Sequence, residues 1–221
     1  MTSRFSSDPR PYVRAITVVF VPLLTLGPAS LVYVPSTVLV PGDGPATLAN
    51  LAAQSTLFRA GLWGELAIAL SELVMLVALF RLFQPVSEGL AVLAGAARLA
   101  MAALQGATVV PGLVALSLTD PNSLLLAFEV REAATVVWQS FFAVHCLALG
   151  MLIARSGLVP SFLGVLMALA GVGYGGLVVG GMFDLHVLND VATLLALAEI
   201  PFFLWLAFRG VSESRWRTLT A

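Results

Sequence analysis

The chain has 221 residues, of which 59% are hydrophobic and 10% are charged, and its mean hydropathy is +0.99. Soluble domains are about half apolar and about a quarter charged, so this composition excludes an ordinary soluble domain and predicts an integral membrane protein. The net charge of −1 gives no basic surface for nucleic acid, and the single cysteine, Cys146, excludes an intrachain disulfide and a cysteine-rich zinc site.

Six segments are long and apolar enough to cross a bilayer as helices. We therefore expect an all-α, polytopic transmembrane helix bundle that forms one integral membrane domain over residues 1–221. The predicted spans are residues 15–34, 61–83, 89–116, 133–154, 162–183 and 191–208.

Two loops on one side of this bundle carry additional helical signals. Residues 45–58 place apolar side chains at helical spacing, and Asp120 followed by Pro121 is typical of a helix N-cap and first helical position. We expect a short amphipathic helix in each loop. Packing against the bundle is favoured over lying on the membrane surface.

Glycine and proline predict irregularities inside the later spans. Gly171 and Gly175 match the small-xxx-small pattern of closely packed membrane helices, and we favour packing within one bundle over dimerisation. Pro111 and Pro201 predict kinks whose freed carbonyl groups need other donors. These patterns leave the oligomeric state open.

The arginines predict the orientation. With the N-terminus inside, eight arginines lie on the inner side, whereas Arg59 and Arg131 lie in outer loops. This asymmetry predicts a multi-pass protein of the inner (plasma) membrane with both termini cytoplasmic and with membrane lipids as its surroundings. The inner arginines are Arg4, Arg10, Arg14, Arg81, Arg155, Arg209, Arg215 and Arg217.

Five ionisable residues lie inside predicted spans, where a charge is costly and is by default a hypothesis for a functional site. They are Glu65, Glu72, Arg98, His145 and Glu199. Glu72 and Arg98 are each thirteen residues from the turn at Pro85, so they are expected at equal depth and as a pair across the hairpin. Glu65 and Gln105 are each twenty residues from that turn and share a second level.

His145, Tyr174 and Glu199 fall near the same depth as the Glu72–Arg98 pair, which predicts one polar centre walled by aromatic residues. Three glutamates there face one arginine and one histidine, so we expect at least one glutamate to be protonated at neutral pH. The catalytic candidates are Glu65, Glu72, Glu199 and His145, and the binding candidates are Arg98, Gln105, Trp138, Gln139 and Tyr174.

Each of these residues also has an architectural interpretation. The Glu72–Arg98 pair can serve only to hold helices together, and His145 can be a satisfied core histidine. Glu199 can bond a backbone group freed by Pro201. No metal or cofactor is predicted, because two histidines are too few for a His-rich metal centre and no nucleotide-binding or protease motif is present.

The sequence contains VPGDGPATLANLAAQSTLFRA at residues 40–60, AARLAMAALQ at 96–105, and FFAVHCLALGMLIARSGLVPSFLGVLMALAGVGY at 141–174. These stretches, and the end from Glu199 through Trp205 to Gly210, resemble an uncharacterised bacterial membrane family catalogued as domain of unknown function 4386. The resemblance covers residues 14–210 and implies a compact multi-helix membrane protein with no established activity. It matches the family pattern at Arg98, His145, Ser156, Gly157, Pro160 and Gly164.

Three functions fit these observations. The favoured one is a protein that binds or moves a small apolar molecule or lipid at the polar centre. The second is an intramembrane enzyme, of cyclase or isomerase type, with a glutamate as general acid. The third is a structural or accessory membrane subunit whose buried charges only join helices.

Overall fold

A computed structural model describes residues 8–221, which form eight helical segments and no strand. Six of them are long and apolar enough to cross a membrane, so the predicted all-α fold with six spans is confirmed. The segments are α1 (Arg10–Val38), α2 (Gly44–Ala53), α3 (Ser55–Phe83), α4 (Glu88–Ala115), α5 (Pro121–Ser156), α6 (Phe162–Phe183), α7 (His186–Arg209) and α8 (Glu213–Thr220).

The six long helices form a ring in chain order. Each packs against the next, and the half of α7 at Ile200–Arg209 returns to α1. We call the end that holds Arg10 and α8 the terminal end, and the opposite end the loop end. At the loop end α2 packs against α5, and at the terminal end the fully buried Trp216 of α8 lies beside Tyr12, with ring centroids 6.1 Å apart.

The outward surface of the ring is apolar and its interior holds charges. Trp63, Val187 and Phe208 are 72%, 80% and 82% exposed, whereas Glu72 and Arg98 are buried. A soluble protein has the opposite distribution. This pattern and the six apolar helices identify a multi-pass membrane protein.

The predicted short helix after Asp120 is wrong as a separate element. Asp120 does cap a helix, because its carboxylate accepts the Ser123 N–H at 2.8 Å, and bonds from Ser123 lower the pKa of Asp120. That helix, however, continues without a break to Ser156 as α5, since it contains no proline after Pro121. The other predicted loop helix is present as α2 and packs against the bundle as favoured.

The terminal helix α8 was not predicted, because its residues were assigned to a polar tail. Ser212 caps it by accepting the Arg215 N–H, and the Ser212 N–H donates to the Leu158 carbonyl at 2.9 Å. Arg215 Nε also donates to the Ser156 carbonyl at 3.0 Å. These hydrogen bonds and the burial of Trp216 together hold the C-terminal segment against the turn between α5 and α6.

Both predicted proline irregularities are present, and a carbonyl group near each has a donor. Helix α4 breaks at Thr108, before Pro111, and the Thr108 carbonyl accepts Nη1 of Arg131 at 2.7 Å. Helix α7 tightens into a 3₁₀ turn at Leu197–Glu199, before Pro201, and the Ile200 N–H bonds the Leu197 carbonyl. Further irregularity lies in α1, which has a π-helical turn at Pro28–Tyr33.

The glycines of α6 pack within the bundle, as favoured from the sequence. A Cβ on Gly173 would lie 2.5 Å from the backbone nitrogen of Ala196, and one on Gly171 would lie 3.0 Å from the Ala143 carbonyl oxygen. Helix α6 therefore touches the backbones of α5 and α7. Gly175 differs, since a Cβ there meets nothing within 4 Å.

We expect Gly173→Ala to destabilise the protein by about 1–3 kcal/mol, because the added methyl group meets backbone that cannot move aside. Gly175→Ala is the matched control in the same helix and is expected to be neutral or slightly stabilising, since alanine is the better helix former. Thermal unfolding of both variants in the same detergent measures the difference. Equal midpoints for the two variants would contradict the packing described.

Candidate functional site

A cavity of about 270 Å³ lies inside the ring, and all six long helices contribute to its wall. Most of the lining is apolar or aromatic, with Phe20 of α1 and Phe203 of α7 stacked at 4.8 Å on one side. The polar lining residues are Glu72, Arg98, Gln105, Tyr174 and Glu199. Five of the residues predicted for the polar centre thus face one space, and Trp138, a predicted binding residue, lines it as well.

The predicted Glu72–Arg98 pair is present and buried. Arg98 Nε donates to Glu72 Oε2 at 2.6 Å, and Nη2 lies 2.5 Å from the same oxygen. The remaining terminal nitrogen, Nη1, lies 2.6 Å from His145 Nε2, and the guanidinium carbon lies 5.5 Å from the Phe142 ring centroid. One arginine therefore joins α3, α4 and α5.

The contacts of His145 assign its tautomer. Arginine can only donate, so Nε2 of His145 accepts from Arg98, and Nδ1 donates to the Ala94 carbonyl at 2.8 Å. The ring also stacks on Phe142, with centroids 5.6 Å apart. His145 is thus a neutral imidazole with both nitrogens bonded, and it does not line the cavity. Its predicted catalytic role has no contact in support, and the core-histidine alternative fits this geometry.

Glu65 has a partner that the sequence reasoning missed. Arg131 was placed in an outer loop, which is wrong: it lies in α5, is buried, and donates through Nη2 to Glu65 Oε1 at 2.7 Å. Its Nη1 caps the Thr108 carbonyl. Gly112 leaves room for this guanidinium, since a Cβ there would lie 2.6 Å from Nη1. Glu65 therefore belongs to a separate loop-end cluster and does not face the cavity.

Glu199 differs from the other two glutamates because it has no arginine. Its Oε1 accepts the Tyr174 hydroxyl at 3.1 Å, and no basic side chain of residues 8–221 forms an ion pair with it. The 3₁₀ turn before Pro201 ends at Glu199, and Glu199 lines the cavity. The hydrogen-bond partner of Glu199 is therefore the Tyr174 hydroxyl, and not the backbone group freed by Pro201 that the sequence offered as an alternative.

The two predicted glutamines differ in position. Gln105 is buried and lines the cavity, and its Oε1 has no hydrogen-bond partner among the described residues. Gln139 is half-buried on α5 and is not part of the cavity wall. A binding role for Gln105 stays a prediction that the geometry favours, whereas the one for Gln139 lacks a contact with the cavity.

The cavity reaches the outer surface of the bundle between α1 and α7. Leu24 of α1 and Leu197 of α7 line the cavity and are 43% and 54% exposed. Helix α1 packs on α7 through Ile200–Arg209, nearer the terminal end. The opening is therefore lateral, flanked by apolar side chains, and directed toward the hydrocarbon of a surrounding bilayer.

The charge balance differs from that expected from sequence. Two arginines, Arg98 and Arg131, offset Glu72 and Glu65, where a single arginine was expected to face three glutamates. One carboxyl group, that of Glu199, is left in the interior without a basic partner. The predicted protonation of one glutamate stays a prediction, and either a proton or a positively charged group would offset the charge of Glu199.

We expect Arg98→Ala to lower the free energy of unfolding by about 3 kcal/mol, because it leaves Glu72 unpaired in apolar surroundings. Glu72→Ala is expected to do likewise, and the double variant should cost less than the sum of the two. The same cycle on the exposed pair Arg10–Glu213 is the control and should show little coupling, since water screens it. Additive effects at Glu72 and Arg98 would contradict an internal pair.

Comparisons with known proteins identify the family of the chain and assign no function to it. Residues 16–210 match the family model described as Domain of unknown function (DUF4386). An uncharacterized protein of Archaeoglobus fulgidus is 25% identical over 148 residues, which is 66% of this chain and 82% of that protein. No solved structure matches the chain. The match covers most of the chain, including the whole cavity, and the protein therefore belongs to the DUF4386 family, as its resemblance predicted.

Proposed function

We propose that this protein binds one small, largely apolar molecule in the central cavity and exchanges it sideways with the bilayer. The observation that carries the proposal is the cavity itself, which has an aromatic and aliphatic wall and a few convergent polar groups. Ligand sites typically have this composition. A purely architectural bundle gains nothing from such a void, because interior space forfeits packing contacts.

The dimensions limit the ligand. A volume of about 270 Å³ is at the lower end of small-molecule sites, which span about 300–1,000 Å³. A compact aromatic or branched molecule fits this space, as does the end of one acyl chain. The carboxyl group of Glu199 supplies a polar anchor that orients it, and Gln105 lines the same wall.

The lateral opening supports access from lipid. Leu24 and Leu197 flank it, so a hydrophobic molecule dissolved in the bilayer passes no polar barrier on its way to the cavity. This route suits a role in binding or moving a membrane-soluble compound. The enzyme alternative is weaker, because Glu65 and Glu72 are held by arginines and only Glu199 keeps a carboxyl group that faces the cavity without a basic partner.

A small neutral photoprobe tests the proposal. We expect trifluoromethyl phenyl diazirine, added to the protein in lipid nanodiscs, to label Trp138 and Tyr174 saturably on illumination, as read by peptide mass spectrometry. Gly27→Phe should reduce that labelling at least about fivefold, because a Cβ on Gly27 meets nothing within 4 Å and Gly27 lines the cavity, so the new ring has room to fill it.

The exposed Trp63 is the internal control, since it faces lipid and its labelling should not change. Gly89→Phe is the matched variant: its Cβ also meets nothing, and Gly89 does not line the cavity. Labelling confined to lipid-facing residues, or unchanged by Gly27→Phe, would refute a ligand cavity.

We further infer that the protein lies in the inner (plasma) membrane with both termini cytoplasmic. In support, Arg59 is the one arginine of residues 8–221 at the loop end, apart from the buried Arg131, whereas seven lie at the terminal end. The seven are Arg10, Arg14, Arg81, Arg155, Arg209, Arg215 and Arg217.

Reporter fusions at the C-terminus test this orientation. We expect a green fluorescent protein fusion to fluoresce and an alkaline phosphatase fusion to be inactive, because the first folds in the cytoplasm and the second needs export. Fusions placed after Asp184, between α6 and α7, are expected to give the opposite result. An active alkaline phosphatase fusion at the C-terminus would contradict this orientation and place the C-terminus outside.

A further inference from the structure

The unpaired carboxyl group of Glu199 indicates the charge of the ligand. The other two interior glutamates each hold an arginine at 2.7 Å or less, but Glu199 has only the Tyr174 hydroxyl. An isolated carboxylate in apolar surroundings is costly, so a positive group near Glu199 would be strongly stabilised. The cavity is the space from which such a group approaches.

Arg98 forms no ion pair with Glu199, because its guanidinium is held by other partners. Its Nε and Nη2 are directed at Glu72, and its Nη1 is directed at His145. All three nitrogens therefore have partners, and the Glu72–Arg98 pair is neutral as a unit. Glu199 is left as the net charge of the wall.

The aromatic residues beside Glu199 suit an organic cation. Tyr174 packs edge-on against Phe142 at 4.6 Å, and Trp138 lies 6.5 Å from Tyr174, so ring surfaces border the cavity next to the carboxyl group. Aromatic faces attract ammonium and quaternary ammonium groups, and the attraction grows when water is excluded. A carboxylate and aromatic walls together neutralise and enclose such a head group.

A bare metal ion fits this wall less well. Calcium takes about six to eight oxygen ligands, and magnesium requires near-octahedral oxygen coordination. Beside Glu199 the wall offers a phenol, and most of the remaining lining is hydrocarbon. A proton on Glu199 is the other way to neutralise the group, and it would give the cavity no preference for charge.

We propose that the ligand is a small lipophilic cation, an amine or quaternary ammonium compound, with Glu199 as its counter-ion and with Trp138 and Tyr174 against its head group. This inference rests on the proposed function, since it names the chemical class that the cavity takes. The apolar remainder of the ligand lies along the aliphatic and aromatic side chains that make up most of the wall.

Two isosteric probes test the inference. Benzyltrimethylammonium and neopentylbenzene share one shape and differ in a quaternary nitrogen against a quaternary carbon. Each competes with the diazirine for labelling of Tyr174 in nanodiscs, at concentrations expressed per lipid. We expect the cation to displace the label at a concentration at least about tenfold lower than the neutral isostere.

Glu199→Gln should bring that ratio close to one, because it removes the charge and keeps the shape. Glu199→Asp keeps the charge and should keep the preference for the cation. That result would show that the loss of preference in Glu199→Gln does not come from misfolding. Glu129→Gln is the matched control: it removes the same charge from an exposed position of α5 and should leave the ratio unchanged.

The outcomes separate the two proposals. Equal displacement by both isosteres in the wild-type protein, or a tenfold preference that survives Glu199→Gln, would overturn the cationic ligand while leaving a neutral-ligand cavity intact. Saturable labelling that neither isostere displaces would also overturn it. If the diazirine does not label the cavity at all, the ligand-binding function fails, and the cationic ligand fails with it.

Discussion

The cost of placing carboxylates inside an apolar bundle governs how this molecule is built. Each buried charge must find a partner, because no water is present to solvate it. Arg98 and Arg131 satisfy Glu72 and Glu65, and in doing so each links α3, α4 and α5. These three helices form the cross-linked side of the ring, and the close glycine contacts add α6 to that side.

The seam between α1 and α7 is held differently. Within the spans it has an apolar stack of Phe20 on Phe203, and at the terminal end an exposed ion pair joins Arg10 of α1 to Glu213 of α8. Apolar contacts between membrane helices compete with contacts to equally apolar lipid. Separating α1 from α7 along this seam therefore costs less free energy than separating the helices that buried ion pairs join. The cavity opens at this seam, and Glu199 lies on its α7 side, opposite the fixed Glu72–Arg98 pair.

Much of the architecture could be predicted from sequence, because proline turns and equal distances along two helices of a hairpin determine depth. That logic placed Glu72 against Arg98. It missed Arg131, because the fourth span was begun at residue 133. The signal was present, since Arg131, Trp138 and His145 recur every seven residues on one helical face. Helix α8 was missed because its polar composition concealed the burial of one residue, Trp216. The cavity itself depends on how α1 and α7 diverge, which no local pattern determines.

The most direct measurement is an experimental structure of the protein in lipid nanodiscs, at a resolution that shows side chains. We expect Arg98 between Glu72 and His145, Arg131 on Glu65, and a separate density enclosed by Trp138, Tyr174 and Glu199. A seam closed along its whole length, with Leu24 packed on Leu197 and no space beside Glu199, would contradict a ligand site. Arg98 turned to Glu199 would contradict the surplus charge on which that site depends.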